Sequence, residues 1–436
     1  MRSRLLSSLS SCVLIALSAC DCGEPEPIAI VDPDDPLPTS EGEGEGEGEE
    51  GEGEGEGEGE GEGEVDCDVG VLTTLGGADK ARLLLLGMPF GPPPAAGEPA
   101  VDGTLVRALG VDDGVITGET DELDVGFRTA RIAFVPSGRF AVVVGEDGEV
   151  VSVDVADPAS LAIVDRVQLP AFGVGDVHVH PTARGDSVVV YVVNADVDAA
   201  TAGVSVLTLR CDGTLTVDDD ARLGLRLSSS LAFLPGDRAL LLGGQVTGFE
   251  PRDDDDLRLL SLSGAPTQIA AFDVVTDFVD ATRIAASSDG SMAVIPNSST
   301  FSAEGGDVVV VDIVGDVVTE RGRAPGFVTA SEAVIAPDGS VAAVSVWEDD
   351  AVLIFDVSGA GAPTLVTRLG NLGLAEQLAL LDRGVHAGRV FVPIVSPAGG
   401  SFVVAIDIGA GTGVRGLEFA LGDEIADIPV AVALQP

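Results

Sequence analysis

From Arg82 to the C-terminus, short apolar runs rich in Val, Leu, Ala and Ile alternate with polar breaks rich in Gly, Asp, Ser and Pro. Short β-branched runs with turn residues at both ends predict strands rather than helices. The clearest passage begins at Ala333 and reads AVIAPDGSVAAVSVWEDDAVLIFDV. It predicts a first strand, a Pro-Asp-Gly turn, a second strand, a polar loop and a third strand ending in Phe-Asp-Val. Imperfect copies have first strands starting near Ile132, Val177, Leu231, Ile284, Ala333 and Leu378, at intervals of 45, 54, 53, 49 and 45 residues. Asp154, Asp312, Asp356 and Asp407 occupy one repeated place, next to the last residue of the third strand. An aspartate there can accept backbone N–H groups and fix the following turn, so these four are expected to be structural.

The interval is the size of a four-stranded propeller blade. Apolar pieces at 162–167, 268–272 and 364–368 supply outer, fourth strands. At the start of the repeats, 82–87 and 104–109 look like second and third strands of a blade that lacks a first strand, while the tail from Ile428 looks like a first strand with nothing after it. Pairing the tail beside the N-terminal strands joins both orphans into one blade and removes the open edge. The expected fold class is therefore all-β: a β-propeller, most simply of seven four-stranded blades closed by the C-terminal strand. Two β-sandwiches are the alternative, and they leave the regular spacing unexplained.

The Pro-Asp-Gly-type turns, the Val-rich strands, the Phe-x-Pro turns at Pro136 and Pro235 and the run Tyr191-Val-Val-Asn194 resemble the bacterial YVTN and lactonase-like β-propeller group. Trp347 is the only tryptophan, so propellers with recurrent structural tryptophans fit poorly. The resemblance implies the propeller fold and, at the level of fold alone, a lactonase-like hydrolase with a site at the channel mouth. Fold does not fix function.

The first residues carry a different signal. Arg2 and Arg4 precede the apolar run Val13–Leu17, the layout of a secretory signal and too short for a permanent membrane span. Leu17-Ser18-Ala19-Cys20 resembles the bacterial lipobox, which implies lipidation of Cys20 (diacylglycerol, with further acylation such as palmitate on the new amine) after cleavage of residues 1–19. Two or three acyl chains give stable anchoring. Residues 20–66 are then an anchor and a disordered linker, since Glu41–Glu64 is almost pure Glu-Gly alternation and can bury nothing. Residues 67–436 are left for the propeller. The expected location is the cell envelope, on its periplasmic or cell-surface face.

The chain has 436 residues and a formal net charge of -49, of which 13 glutamates lie in Glu41–Glu64. Such a surface repels nucleic acid and anionic headgroups, so no nucleic-acid partner is expected. Aromatic residues make up only 4%, so the core must be built from small aliphatic side chains. Of five cysteines, Cys12 leaves with the signal and Cys20 takes the lipid. Cys22, Cys67 and Cys211 remain as disulfide candidates, with the pairing open.

Chemistry-bearing residues are few. His178 and His180 alternate on one predicted strand and share a face, with Asp176 two residues earlier. The three are candidates for a divalent metal, against a plainer reading of two hydrogen-bonded histidines packed between blades. No resident cofactor is predicted beyond that metal. His386 falls in a turn and the run Asp253–Asp256 in an insertion, and both are expected to face solvent. No nucleophile elbow, H-E-x-x-H pair or phosphate-binding glycine loop is present. The expectation is a binding or scaffolding module for a protein or small-molecule ligand, more readily than an enzyme.

Overall fold

The computed structural model describes residue 72, residues 82–91 and residues 102–436, except 171–172, 196–201, 226–227, 244–255, 275–282, 299–305, 328, 347–348, 376, 397–399 and 410–412. Seven antiparallel sheets follow one another in chain order. Blade I holds β1 (Arg82–Phe90), β2 (Asp102–Asp112) and β3 (Val115–Asp124). Blade II runs β4 (Thr129–Phe134), β5 (Phe140–Gly145), β6 (Glu149–Asp154) and β7 (Ala162–Gln168). Blade III runs β8 (Val174–Val179), β9 (Ser187–Asn194), β10 (Gly203–Arg210) and β11 (Leu215–Leu223). Blade IV runs β12 (Ser228–Leu234), β13 (Arg238–Gly243), β14 (Leu257–Ser261) and β15 (Thr267–Phe272). Blade V runs β16 (Ala285–Ala286), β17 (Met292–Asn297), β18 (Asp307–Val314) and β19 (Val317–Pro325). Blade VI runs β20 (Ala330–Ile335), β21 (Val341–Val346), β22 (Ala351–Asp356) and β23 (Thr364–Leu369). Blade VII has a first strand broken into β24 (Leu374–Ala375) and β25 (Ala379–Leu381), both paired with β26 (Arg389–Val395), then β27 (Ser401–Asp407) and β28 (Val414–Gly422).

The last strand, β29 (Ala431–Leu434), pairs antiparallel with β1 in the register Leu84↔Leu434 to Gly87↔Ala431 and becomes the first strand of blade I. The two orphan ends of the sequence are thus one sheet, as expected. The tail also reaches both neighbours. Val432 N donates to Gln377 Oε1 of blade VII at 3.1 Å, and Gln435 Nε2 donates to Gly138 O of blade II at 2.7 Å. Gly87 is needed at this crossing, because a Cβ there would stand 2.6 Å from the Thr129 methyl group and 2.9 Å from Ala431 Cβ.

The core is split among the seams between blades. On β5, Ala141 and Val143 pack toward blade I, while Val142 and Val144 pack toward blade III. Other middle strands repeat this two-sided burial, as Leu240 and Leu242 against Leu241 do on β13. That explains their unbroken Val, Leu and Ala runs. A sheet covered on both faces has no polar side to alternate with, and small side chains let twisted sheets approach closely. Fourth strands alternate instead: β7 reads exposed and half-buried in turn from Ala162 to Gln168.

Candidate functional site

First strands contact their neighbours in order around the ring, from β29 to β4, β8, β12, β16 and β20, and they therefore surround the central axis. One layer of that inner wall is polar. Arg131, Asp176, Ser230, Arg283, Glu332 and Gln377 each stand one residue before an apolar first-strand stretch, on successive blades II to VII. Their bonds run from blade to blade. Arg131 Nε donates to Gly175 O at 2.8 Å. Ser230 Oγ donates to Asp176 Oδ2 at 2.9 Å and accepts from Ile284 N at 3.3 Å. Arg283 lies 3.8 Å from Asp176 Oδ1 and donates through NH1 to Glu332 Oε2 at 2.6 Å. Glu332 Oε2 accepts from Leu378 N at 3.1 Å, and the Gln377 amide continues to β29.

His178 joins this layer from one pleat deeper. Its Nε2 lies 2.8 Å from Asp176 Oδ2. An ionised carboxylate accepts, so Nε2 is the donor in this contact. Among the described residues Nδ1 has no hydrogen-bond partner. Arg283 Nε is likewise buried with no hydrogen bond. Close strand approach makes the cluster: a Cβ at Gly175 would lie 2.6 Å from the Ser229 carbonyl oxygen, so glycine lets β8 and β12 meet there.

The two carboxylates are driven in opposite directions. Burial alone would raise the Asp176 carboxyl, but His178, by charge and hydrogen bond, and then Arg283 and Arg131, hold it well below the usual carboxylate range. Burial raises Glu332, with Arg283 opposing and Asp176 adding to the rise. The layer thus combines a firmly ionised aspartate, a glutamate that takes up a proton more readily, two guanidinium groups and an imidazole.

The metal set read from the sequence is not brought to one point. Asp176 and His178 meet each other, but His180 turns to the far end of β8, where Nδ1 accepts from Thr182 N at 3.1 Å and Nε2 lies 3.5 Å from Asp237 Oδ1. The two histidines do share a face, and both rings meet Phe233 of blade IV edge-on, at 5.8 and 5.4 Å. The plainer reading, hydrogen-bonded histidines between blades, describes both. Among the described residues no group of three metal-ligating side chains assembles.

Other candidates divide. Asp154 and Asp356 accept from Ala156 N and Ser358 N at 2.9 Å, as turn-fixing aspartates should. Asp312 and Asp407 instead bind Arg321 and Arg389. Asp256, expected in solvent, is buried and accepts from Val274 N at 2.9 Å, because it opens β14 beneath the end of β15; residues 253–255 of that run lie outside the described residues. His386 does occupy a turn, but its ring faces Asp113 of blade I at 3.7 Å. Cys211 is disulfide-bonded, and every other cysteine, including Cys22 and Cys67, lies outside the described residues. So do Cys20 and the segments 1–19 and 20–66.

Arg131, Ser230, Arg283 and Glu332 had no motif to mark them. They lie about one blade apart in sequence, and only the ring brings them together. The signal that could have found them is positional: a polar residue immediately before the apolar start of each of six repeats.

No protein-family model matches this sequence, and no curated protein matches it. Solved structures do share its fold. The periplasmic gluconolactonase of Pseudomonas aeruginosa is 18% identical, with a TM-score of 0.59 over 82% of this chain and 99% of that one. A candidate 6-phosphogluconolactonase from Bacteroides fragilis is 14% identical, with a TM-score of 0.57 over 82% and 99%. A hypothetical selenium-binding protein from Sulfolobus tokodaii, 12% identical with a TM-score of 0.57 over 82% and 93%, is built the same way. At these identities the likeness is one of fold: the chain is a seven-bladed propeller, and lactonase-like propellers are among the structures it resembles.

Proposed function

We propose that this chain is a lipid-anchored cell-envelope protein whose propeller is a binding or scaffolding module, with its ligand seated on the polar layer of the inner wall. The carrying observation is the convergence of Arg131, Asp176, His178, Arg283 and Glu332 from four different blades at one level of the ring. Arginine, carboxylate and imidazole at one place offer donors and acceptors together, which suits a small polyhydroxylated or carboxylate-bearing ligand. The lipobox-like start motivates the anchor, and the Glu-Gly stretch motivates a stalk between membrane and propeller. Calorimetric titration of the purified chain with sugar acids and their lactones tests the binding reading. Binding that vanishes on Arg283→Gln supports it; heat that survives that change places the ligand elsewhere.

A second reading is favoured by one feature, the Asp176–His178 pair with Nδ1 open. In lactone hydrolysis, His178 Nδ1 would take a proton from water as its oxygen adds to the lactone carbonyl. The resulting oxyanion would face Arg283. Collapse would break the ring C–O bond, and His178 would return the proton to the leaving alkoxide. Gluconolactonase folds among the similar structures add to this reading. Ring opening of gluconolactone above the spontaneous rate, lost in His178→Ala and kept in His180→Ala, is the expected result. Equal rates with and without protein would end it.

A further inference from the structure

At the other end of the ring, the seam between blades VII and I holds a second group of charges. It lies where the turn from β25 to β26 meets the start of β1 and the turn from β2 to β3. Arg82, Asp113, Gly114, Arg383 and His386 line a cavity there of about 10 Å³, on the scale that holds one water-sized particle. Arg82 is 7% exposed, yet among the described residues its NH1 is buried with no hydrogen-bond acceptor, and Arg383 Nε is in the same condition. Buried N–H groups of this kind normally have a partner.

The neighbouring carboxylates do not fill that role. Asp407 is engaged in a two-point contact with Arg389, at 2.6 and 2.8 Å, and Arg389 NH1 also donates to Gly114 O. Asp113 faces His386 at 3.7 Å. Asp382 stands 3.8 Å from Arg82 NH1 and 3.4 Å from Arg383 Nε, too poorly placed to hydrogen-bond either, and its side chain is 59% exposed. Two guanidinium groups thus share one loosely held, mostly solvated carboxylate. Burial, and after it the Arg383 charge, push Arg82 below its usual value, with Asp382 opposing.

We propose that this cleft is a binding site for a small monovalent anion of the chloride class, held between Arg82 and Arg383 at the seam where the ring closes. The charge requirement comes from the two unmet guanidinium donors. The size preference comes from the cavity, which at about 10 Å³ suits one small ion better than phosphate, sulfate or a sugar acid. A neutral water could accept one or two of these bonds but would add no negative charge beside the two guanidinium groups, which share Asp382. The strongly acidic chain works against any anion at long range, so saturation is expected in the millimolar range or above. Because the anion would touch β1 and the β25–β26 turn together, its binding would favour the closed ring.

The test is thermal unfolding of the full chain in sodium chloride against sodium methanesulfonate, whose larger anion suits the cleft less well, at equal ionic strength. Chloride is expected to raise the midpoint saturably by about 2 °C. Arg383→Gln, a turn substitution that leaves the core alone, is expected to abolish the difference. Chlorine-35 resonance linewidth gives a second readout, broadened by the natural chain and not by Arg383→Gln. Superimposed curves in the two salts, or a chloride response that survives Arg383→Gln, would overturn the proposal.

Discussion

Gln435 grips Leu83 on both sides: its backbone N–H donates to the Leu83 carbonyl at 2.8 Å, and its side-chain Oε1 accepts the Leu83 N–H at 2.9 Å. The same amide group donates to Gly138 O on the next blade. One residue at the extreme end of the chain therefore fastens the first blade to the second, 352 positions away in the case of Leu83.

Gln435→Ala should cost about 1–3 kcal/mol, since the Leu83 N–H and the Gly138 carbonyl would lose their partner. Removing 431–436 should do far more, because it takes away all of β29 and exposes the edge of β1. Midpoints of chemical unfolding and the rate of protease cleavage check both. Equal resistance of natural and truncated chains would mean that the last strand does not close the ring.

Glu332 offers a contrast between two substitutions. Glu332→Ala removes the acceptor of both Arg283 and Leu378 N and strands a buried guanidinium, at a cost of about 3–5 kcal/mol. Glu332→Gln keeps an acceptor at the same place. Burial has already raised this carboxyl, so loss of its charge should change stability by about 1 kcal/mol or less. Denaturant melts of the two variants decide whether the position is held by hydrogen bonding or by charge.

The same group sets a pH dependence. A carboxyl whose folded pKa lies above its unfolded value, about 4.3, contributes stability that is present below that value and lost as pH rises through the folded pKa. The natural chain should therefore gain on Glu332→Gln as pH falls from 7 toward 4.5. Asp176 has the opposite sign. Its depressed pKa contributes stability that is present above about 3.9 and lost as pH falls further, a loss that Asp176→Asn should not show. Melting curves across pH 7 to 3 separate the two. A Glu332→Gln difference that is flat with pH would contradict the assignment.

Tyr191 is the only tyrosine, fully buried, with a hydroxyl that has no hydrogen-bond partner among the described residues. Burial pushes its pKa up to about 12. Alkaline titration followed by phenolate absorbance reads this one group directly, and a midpoint near 10 would contradict the packing. Tyr191→Phe should be neutral or stabilising by about 1 kcal/mol, since it removes an unmet polar atom.

The ring and its closure were legible in the sequence because they depend on local rules. Short Val-rich apolar runs between turn residues, such as Phe140–Gly145, favour strands, the Pro-Asp-Gly turns fix their hairpins, and an orphan tail calls for an orphan partner. The site was legible only in part. Asp176 and His178 are two residues apart, so pleat geometry placed them together. It also put His180 on the same face, but could not show that one more pleat carries it out of reach, toward Asp237. Arg283 and Glu332 meet through parallel neighbouring first strands, a contact set by blade packing that no short pattern encodes.

The polar layer bears on how such a chain avoids tangling. Blades made of interchangeable Val-rich hairpins could in principle stack in any order, or with a blade from another molecule. Each inner position here differs from the next: arginine, aspartate, serine, arginine, glutamate, glutamine. A blade docked beside the wrong neighbour would set arginine against arginine or leave a carboxylate facing carbon. The inner wall thus works as an address code, disfavouring misordered partners among blades built from similar pieces.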